Sequence, residues 1–320
     1  MRHVFILNPA AGKKSRALDF IPEIEAYFNA HAGDYEIRVT NQAGDASVYA
    51  REEAEKGDLV RLYAVGGDGT LNEVTNGAAG AKNVEIACVP CGSGNDYVKT
   101  FGKAEDFLDL PALIEGEATA VDGILCNGEL SLNICSLGVD ADVCAYMGDF
   151  KRLPLVSGSM AYDLGVVKML CKPAGNNLTV KITTEDGVVE RKGRFLFALA
   201  ANGQYYGGGY CGAPGSIPND GQLDFVLVSV VSKLKMIKLL GGYKRGEHYG
   251  WDICEHLRGT KMEAECDKAA CINIDGEIVH SKTVSFEILP GYFRFVLPTS
   301  LAGKFAAAKE DVTVKKEYPL

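Results

Sequence analysis

The sequence predicts an α/β domain followed by a strand-rich, sandwich-like domain. Three observations carry that expectation. Short apolar runs alternate with stretches of helical spacing over the first 120 residues. After Val121-Asp122-Gly123, strand-like runs follow one another with few helical gaps. At 320 residues the chain has the length of two domains of about 150 residues each.

The run Val4-Phe5-Ile6-Leu7 is the first expected strand. Leu18, Ile21, Ile24, Tyr27 and Phe28 have helical spacing and place a helix over 18–28. Strands at 35–39, 59–65 and 84–90 then alternate with helices at 46–56 and 71–79. Repeated strand–helix units build a mostly parallel sheet with helices on its faces, a three-layer arrangement. The strand-like runs of the second half are 131–136, 178–183, 194–200, 223–231, 270–274, 284–289 and 293–297. Helical stretches near 159–171 and 234–242 interrupt them. The expected division is 1–122, 123–299 and a 300–320 tail that packs back on the N-terminal domain.

Composition narrows the function. The 37 glycines exceed the typical share of about 7% and imply tight turns or close approach of backbone to a ligand. A net charge of −9 argues against nucleic acid as a partner, because that affinity comes mainly from Lys and Arg on phosphates. Ten scattered cysteines without a secretion signal, and no apolar run long enough to span a bilayer, lead to the expectation of a cytoplasmic protein with free thiols.

The strongest local signal is Gly66-Gly67-Asp68-Gly69-Thr70, between the third strand and the third helix. Glycines there let backbone reach a phosphate, and a helix N-terminus offers free N–H groups and positive dipole. Asp68 makes sense in such a loop if a magnesium ion or its bound water lies between carboxylate and phosphate. Taken alone, the loop is also readable as a strand-to-helix turn capped by Thr70. The Walker-A pattern fails around Gly12-Lys13, where position 7 is Leu and position 14 is Lys. The G-x-G-x-x-G pattern fails because position 72 is Asn. Asn8-Pro9-Ala10-Ala11-Gly12 follows the first strand, and Pro90-Cys91-Gly92-Ser93-Gly94-Asn95-Asp96 follows the fourth. All three loops fall at one edge of the expected sheet, where such sheets bind ligands.

In this ordered set the chain resembles the diacylglycerol kinase catalytic family, specifically the soluble bacterial lipid kinases. The likeness extends through Asn133-x-x-Ser136-x-Gly138-x-Asp140-Ala141, Asn202-Gly203, Tyr206-Gly207-Gly208-Gly209, Ala213-Pro214, Asp220-Gly221-x-Leu223-Asp224 and Asp275-Gly276-Glu277. G-G-D-G-T alone is shared with NAD kinases and phosphofructokinases; the ordered set is far more specific. Ser93 stands where the family often has Thr, and both supply a hydroxyl.

The resemblance implies ATP in a cleft between the two domains. Asn8, Pro9, Ala10, Ala11, Gly12, Thr40, Gly66, Gly67, Asp68, Gly69, Thr70, Leu71, Asn72 and Ser93 would line its site. Asp68 would organise Mg²⁺ at the phosphates. Asp220, with the carbonyls of Ile217 and Gln222, would hold a structural Mg²⁺. Asp275-Gly276-Glu277 would be the catalytic turn, with Glu277 as proton acceptor. Read from the residues alone, Asp220-Gly221 and Asp275-Gly276 are equally plain turn signals. The implied reaction is transfer of the γ-phosphate of ATP to a lipid hydroxyl, diacylglycerol first. An NAD kinase-like phosphotransferase and a catalytically silent nucleotide or lipid sensor are the rival readings.

Other features have plainer explanations. Cys88-x-x-Cys91 lacks two further ligands at zinc spacing and reads as structural thiols. The five histidines show no metal spacing. Lys233, Lys235, Lys238, Lys244 and Arg245 flank Leu234, Met236, Ile237, Leu239 and Leu240, as either a solvated helix face or a basic surface for anionic lipid at the inner membrane. Oligomeric state is left open, a homodimer included.

Overall fold

A computed structural model describes residues 1–12, 16–151, 164–165, 167–169 and 175–303. The first domain is built on four parallel strands in the order β2 (Asp34–Val39), β1 (Arg2–Leu7), β3 (Val60–Gly66) and β4 (Val84–Pro90). β3 and β4 are buried at every position, as strands covered on both faces must be. The helices pack in two pairs, α1 (Ile21–Ala30) with α4 (Leu110–Ile114) and α2 (Asp45–Glu55) with α3 (Asp68–Gly77). The helix expected over 18–28 is instead a 3₁₀ turn, Arg16–Phe20, followed by α1. Pro22 explains the break: it lacks an N–H and is tolerated only in a helix's first turn. α3 begins at Asp68, three residues earlier than expected, with Gly67 rather than Thr70 before its first turn.

The second domain is antiparallel. Its strands are β5 (Glu117–Cys126), β6 (Glu129–Ser131), β7 (Ile134–Gly138), β8 (Asn176–Thr184), β9 (Gly187–Ala201), β10 (Tyr205–Tyr206), β11 (Tyr210–Cys211), β12 (Leu223–Ser229), β13 (Cys254–Gly259), β14 (Lys261–Ile274) and β15 (Glu277–Leu297). β9 and β14 each pair with β8 along one end and with β7 along the other, which closes the sandwich. One apolar cluster fills its interior around Leu178, Val180, Phe225, Ile272 and Phe286. Among the described residues, α5 (Val139–Lys151), which the sequence reading did not anticipate, and α6 (Lys233–Lys244) cover the outside. The helix expected near 159–171 falls largely outside the described residues.

β15 ties the halves together. The strands expected at 284–289 and 293–297 are one strand, with a register shift between Leu289 and Phe293. Its first part pairs with β14; its last part pairs with β5 and touches β4 at Phe295–Ile86. Phe293, Phe295 and Leu297 therefore join the core of the first domain. β5 runs unbroken through position 122, the point of the expected division. Leu301 is buried in the N-terminal core beside Gly102; residues 304–320 lie outside the described set.

The strand expected at 131–136 is interrupted between β6 and β7. The N–H groups of Leu132, Asn133 and Ile134 bond to the carboxylate of Asp275, so the chain turns where a ladder would otherwise continue.

Candidate active site between the two domains

The three glycine-rich loops meet at the carboxyl ends of β1, β3 and β4, and they meet backbone to backbone. The Cys91 N–H donates to the Gly66 carbonyl at 2.7 Å. A Cβ on Gly92 would lie 2.4 Å from Gly67 Cα, and one on Gly12 would lie 2.1 Å from the Cys91 carbonyl oxygen. No other residue fits at either place. Asn8 Nδ2 donates to Thr70 Oγ1 at 2.9 Å, so Thr70 ties α3 to the first loop instead of capping its own helix.

These loops line a cleft of about 400 Å³, a size that suits a small ligand. Of the residues expected there, Asn8, Ala11, Gly12, Gly67, Asp68, Gly69, Thr70, Leu71, Asn72 and Ser93 line it. Pro9, Ala10, Gly66 and Thr40 are not among the lining residues. Ala10 closes a turn on Asn8 Oδ1, Gly66 makes room for Thr70, and Thr40 is buried with its hydroxyl on the Leu7 carbonyl. The second domain supplies the opposite wall, including Leu132, Asn133, Tyr206, Gly207, Gly208, Asn273, Asp275 and Glu277.

Asp68 sits in the first turn of α3. Its Oδ1 accepts from the N–H groups of Asp96 (2.6 Å) and Tyr97 (3.4 Å). Burial, and then the nearby Asp96 charge, push its carboxyl above the ordinary range. Asp96 in turn accepts from Lys99 Nζ and from the Gly208 N–H, each at 2.7 Å. Gly207, Gly208 and Gly209 all have positive φ, which only glycine adopts easily in succession, and this presents the Gly208 N–H across the domain boundary. Sequence reasoning gave Asp96 no role, although it closes the quoted Gly92–Asp96 loop.

Asp275 lines the cleft beside Gly276 and Glu277. It has φ +47°, and its carboxylate is enclosed by donors: Leu132 N (2.8 Å), Asn133 N (3.3 Å), Asn72 Nδ2 (3.4 Å) and Ile134 N (3.0 Å). Burial raises its pKa and the backbone N–H groups oppose that rise. Asp275 thereby ties Asn72 and the 132–134 corner to the wall of the cleft. Glu277, two residues on, is exposed on the cleft's rim.

Asp122 was also missed. It is buried, and its two oxygens accept from Gly291 N (2.7 Å) and Gly221 N (2.9 Å). It thereby pins the irregular segment of β15. Burial pushes its carboxyl up to about 6.

Among the described residues, no Lys or Arg side chain lines the cleft, while Asp68, Glu73, Asp96, Asp275 and Glu277 do. A polyanion in this acid-lined space calls for a divalent cation. The donor set fits Mg²⁺, which binds one or two carboxylates and keeps water and phosphate oxygens for the rest of its shell. The described residues contain no cluster of three or more His, Cys, Asp or Glu that would cage a metal by protein alone. Asp220 lies outside the cleft lining, with Oδ1 on the Gln222 N–H and Oδ2 on the Arg258 guanidinium. The Ile217 side chain nearby is exposed. Asp220 thus has a protein cation, Arg258, as its partner.

Residues 2–126 match the model of the diacylglycerol kinase catalytic domain, and residues 133–297 match the YegS C-terminal NAD kinase beta sandwich-like domain. A Pseudomonas aeruginosa protein named "Probable lipid kinase YegS-like" is 30% identical over 265 residues, covering 82% of this chain and 84% of the relative. The chain belongs to the YegS-like lipid kinase family. A Staphylococcus aureus relative named "Putative lipid kinase" is 25% identical over 290 residues, 88% of this chain and 92% of its own. The crystal structure of a "putative diacylglycerol kinase" from Bacillus anthracis superposes on this family member with a TM-score of 0.72 at 26% identity, covering 94% and 98% of the two chains. The kinase thus has both family domains, and the cleft lies between them.

Two side features resolve plainly. Cys88 and Cys91 are buried free thiols whose pKa values burial raises, Cys91 to about 11, which leaves little reactive thiolate. His3 and His248 are buried, and burial lowers both to about 4.

Proposed function

We propose that this kinase transfers the γ-phosphate of ATP, with Mg²⁺, to a lipid hydroxyl, diacylglycerol being the first choice of acceptor. The observation that carries this reading is the acid-lined cleft in which three glycine loops and a helix N-terminus face Glu277 across the domain boundary.

The first domain's part is to seat the triphosphate. Gly67, Gly69 and Gly92 keep the loops free of side chains, so backbone N–H groups of the α3 first turn are open to phosphate oxygens. Asp68, backed by Asp96, would hold Mg²⁺, which when bound neutralises charge on the phosphate oxygens. Asp275 fixes Asn72 and the 132–134 corner, and so sets the distance between the domains. Glu277 orients the acceptor hydroxyl and takes its proton as the new O–P bond forms and the bond to the β-phosphate oxygen breaks, releasing ADP.

Labelled γ-phosphate transfer in mixed micelles tests this with diacylglycerol, monoacylglycerol, ceramide, a sphingoid base, a glycolipid and NAD as acceptors. The expected result is labelling of one lipid, lost in Asp68→Ala and reduced about 10²–10⁴-fold in Glu277→Gln. Labelling of NAD alone would move the chemistry to a soluble acceptor. ATP binding without transfer to any acceptor would favour a silent sensor.

A further inference from the structure

We propose that the outer face of α6 is a docking surface for an anionic phospholipid bilayer. The helix begins at Ser232, whose side chain accepts the Lys235 N–H at 3.3 Å, and runs to Lys244. Its inner face, with Met236, Leu240 and Tyr243, packs on the sandwich. One turn from each other on the opposite face, Leu234 and Ile237 are 75% and 53% exposed. Large aliphatic side chains this open to water, side by side on one helix, are left largely uncovered by the described residues. Lys233, Lys235 and Lys238 stand around them, and none has a carboxylate within ion-pair distance among the described residues. From Ser232 to Gly246 the sequence carries no acidic residue, although the whole chain has a net charge of −9.

That combination selects the partner. An apolar pair ringed by lysines on an acidic protein complements a surface that is negative outside and hydrocarbon beneath. It also orients the molecule, because the rest of an acidic surface is repelled. Ile237 further lines the mouth of an apolar groove between α6 and the sandwich, shared with Val143, Phe197 and Trp251. At its floor Asp140 and Tyr243 both bond to the Tyr206 hydroxyl, at 2.6 and 2.7 Å, and Tyr206 also lines the main cleft. A bilayer on α6 would therefore lie over an apolar opening that backs onto the cleft.

The inference takes its purpose from the lipid-kinase reading, but its test does not need that reading. Sedimentation with vesicles is scored without nucleotide or acceptor, using phosphatidylcholine alone and phosphatidylcholine with phosphatidylglycerol. Binding is expected only to the anionic vesicles and is expected to weaken with salt. Each lysine contributes about a factor of five, so Lys233→Gln/Lys235→Gln/Lys238→Gln should bind about a hundredfold more weakly. Leu234→Ser/Ile237→Ser should lose roughly tenfold or more through lost apolar contact. Both variants alter exposed side chains, so their thermal unfolding should match the parent. Equal binding to neutral vesicles, or unchanged binding by the lysine variant, overturns the proposal. So does a Leu234→Ser/Ile237→Ser variant that binds vesicles normally while a parent dimer falls to monomer, because the face would then join two copies of the chain.

Discussion

Asp275→Asn separates a positioning role from a chemical one. Asparagine keeps the shape and tolerates the φ of +47° that a bulkier residue would not. It keeps one acceptor oxygen and replaces the other with an NH₂ group. If the remaining oxygen serves Leu132, Asn133 and Asn72, the Ile134 N–H, now 3.0 Å from Oδ1, faces a donor. A hydrogen bond to a charged group is worth about 1.5–3 kcal/mol, and the donor left facing it adds a desolvation cost. The local loss is therefore about 3 kcal/mol, or roughly 150-fold in the opening equilibrium of this corner. Hydrogen exchange of the 129–138 segment reads it directly. Exchange should quicken by about that factor while the parallel sheet of the first domain keeps its protection, and turnover should fall with it as Asn72 and the corner loosen. Parent-like exchange in a variant that has lost turnover would refute the reasoning and give Asp275 a part in the chemistry.

Other outcomes follow from the same geometry. A Cβ on Gly69 meets nothing within 4 Å, whereas one on Gly92 lies 2.4 Å from Gly67 Cα; Gly69→Ala should unfold thermally like the parent yet lose stabilisation by MgATP, while Gly92→Ala should lose both, and full MgATP stabilisation of Gly69→Ala would take phosphate out of this loop. Arg61 bonds buried Glu85 through Nε and Nη2 and the Ile114 carbonyl through Nη1, at 2.7–3.0 Å. Arg61→Met should cost about 3 kcal/mol in urea unfolding, near the low end for a broken buried pair because Arg294 still reaches Glu85, and adding Glu85→Gln should restore part of it. Asp122 binds its proton more tightly folded than unfolded, about 6 against 3.8, so its contribution to stability is present at low pH and falls as pH rises from about 4 to about 6. That is about 3 kcal/mol over the window; Asp122→Asn should remove this component from the stability–pH curve, and superimposable slopes for the two proteins would rule it out.

Much of the first domain is legible because its signals are local. Each glycine loop directly follows an apolar strand, so strand periodicity and loop chemistry together locate Asn8, Gly67, Asp68 and Ser93 at one sheet edge without any model of the fold. The rule that such sheets bind ligands at the carboxyl ends of their strands does the rest. Where reading failed in this half, the cause was a backbone detail, as at Pro22, or the assignment of Thr70 to its own helix.

The roles of the acidic residues were decided by tertiary structure. Asp68, Asp96, Asp122, Asp220 and Asp275 all sit beside glycines or turn residues and look alike along the chain. Their partners come from far away: Asp96 meets Gly208, Asp122 meets Gly291, Asp220 meets Arg258, and Asp275 meets residues 132–134. A carboxylate's chemistry depends on how far it is removed from water and which donors face it, and neither is encoded within a few residues of it. The sequence by itself therefore determined the sheet and the glycine loops gathered at its edge. Only the folded chain, by bringing donors across separations of 38 and 143 residues, decided that Asp275 holds the cleft's wall and that Asp220 answers an arginine, and only it leaves Glu277 exposed at the rim.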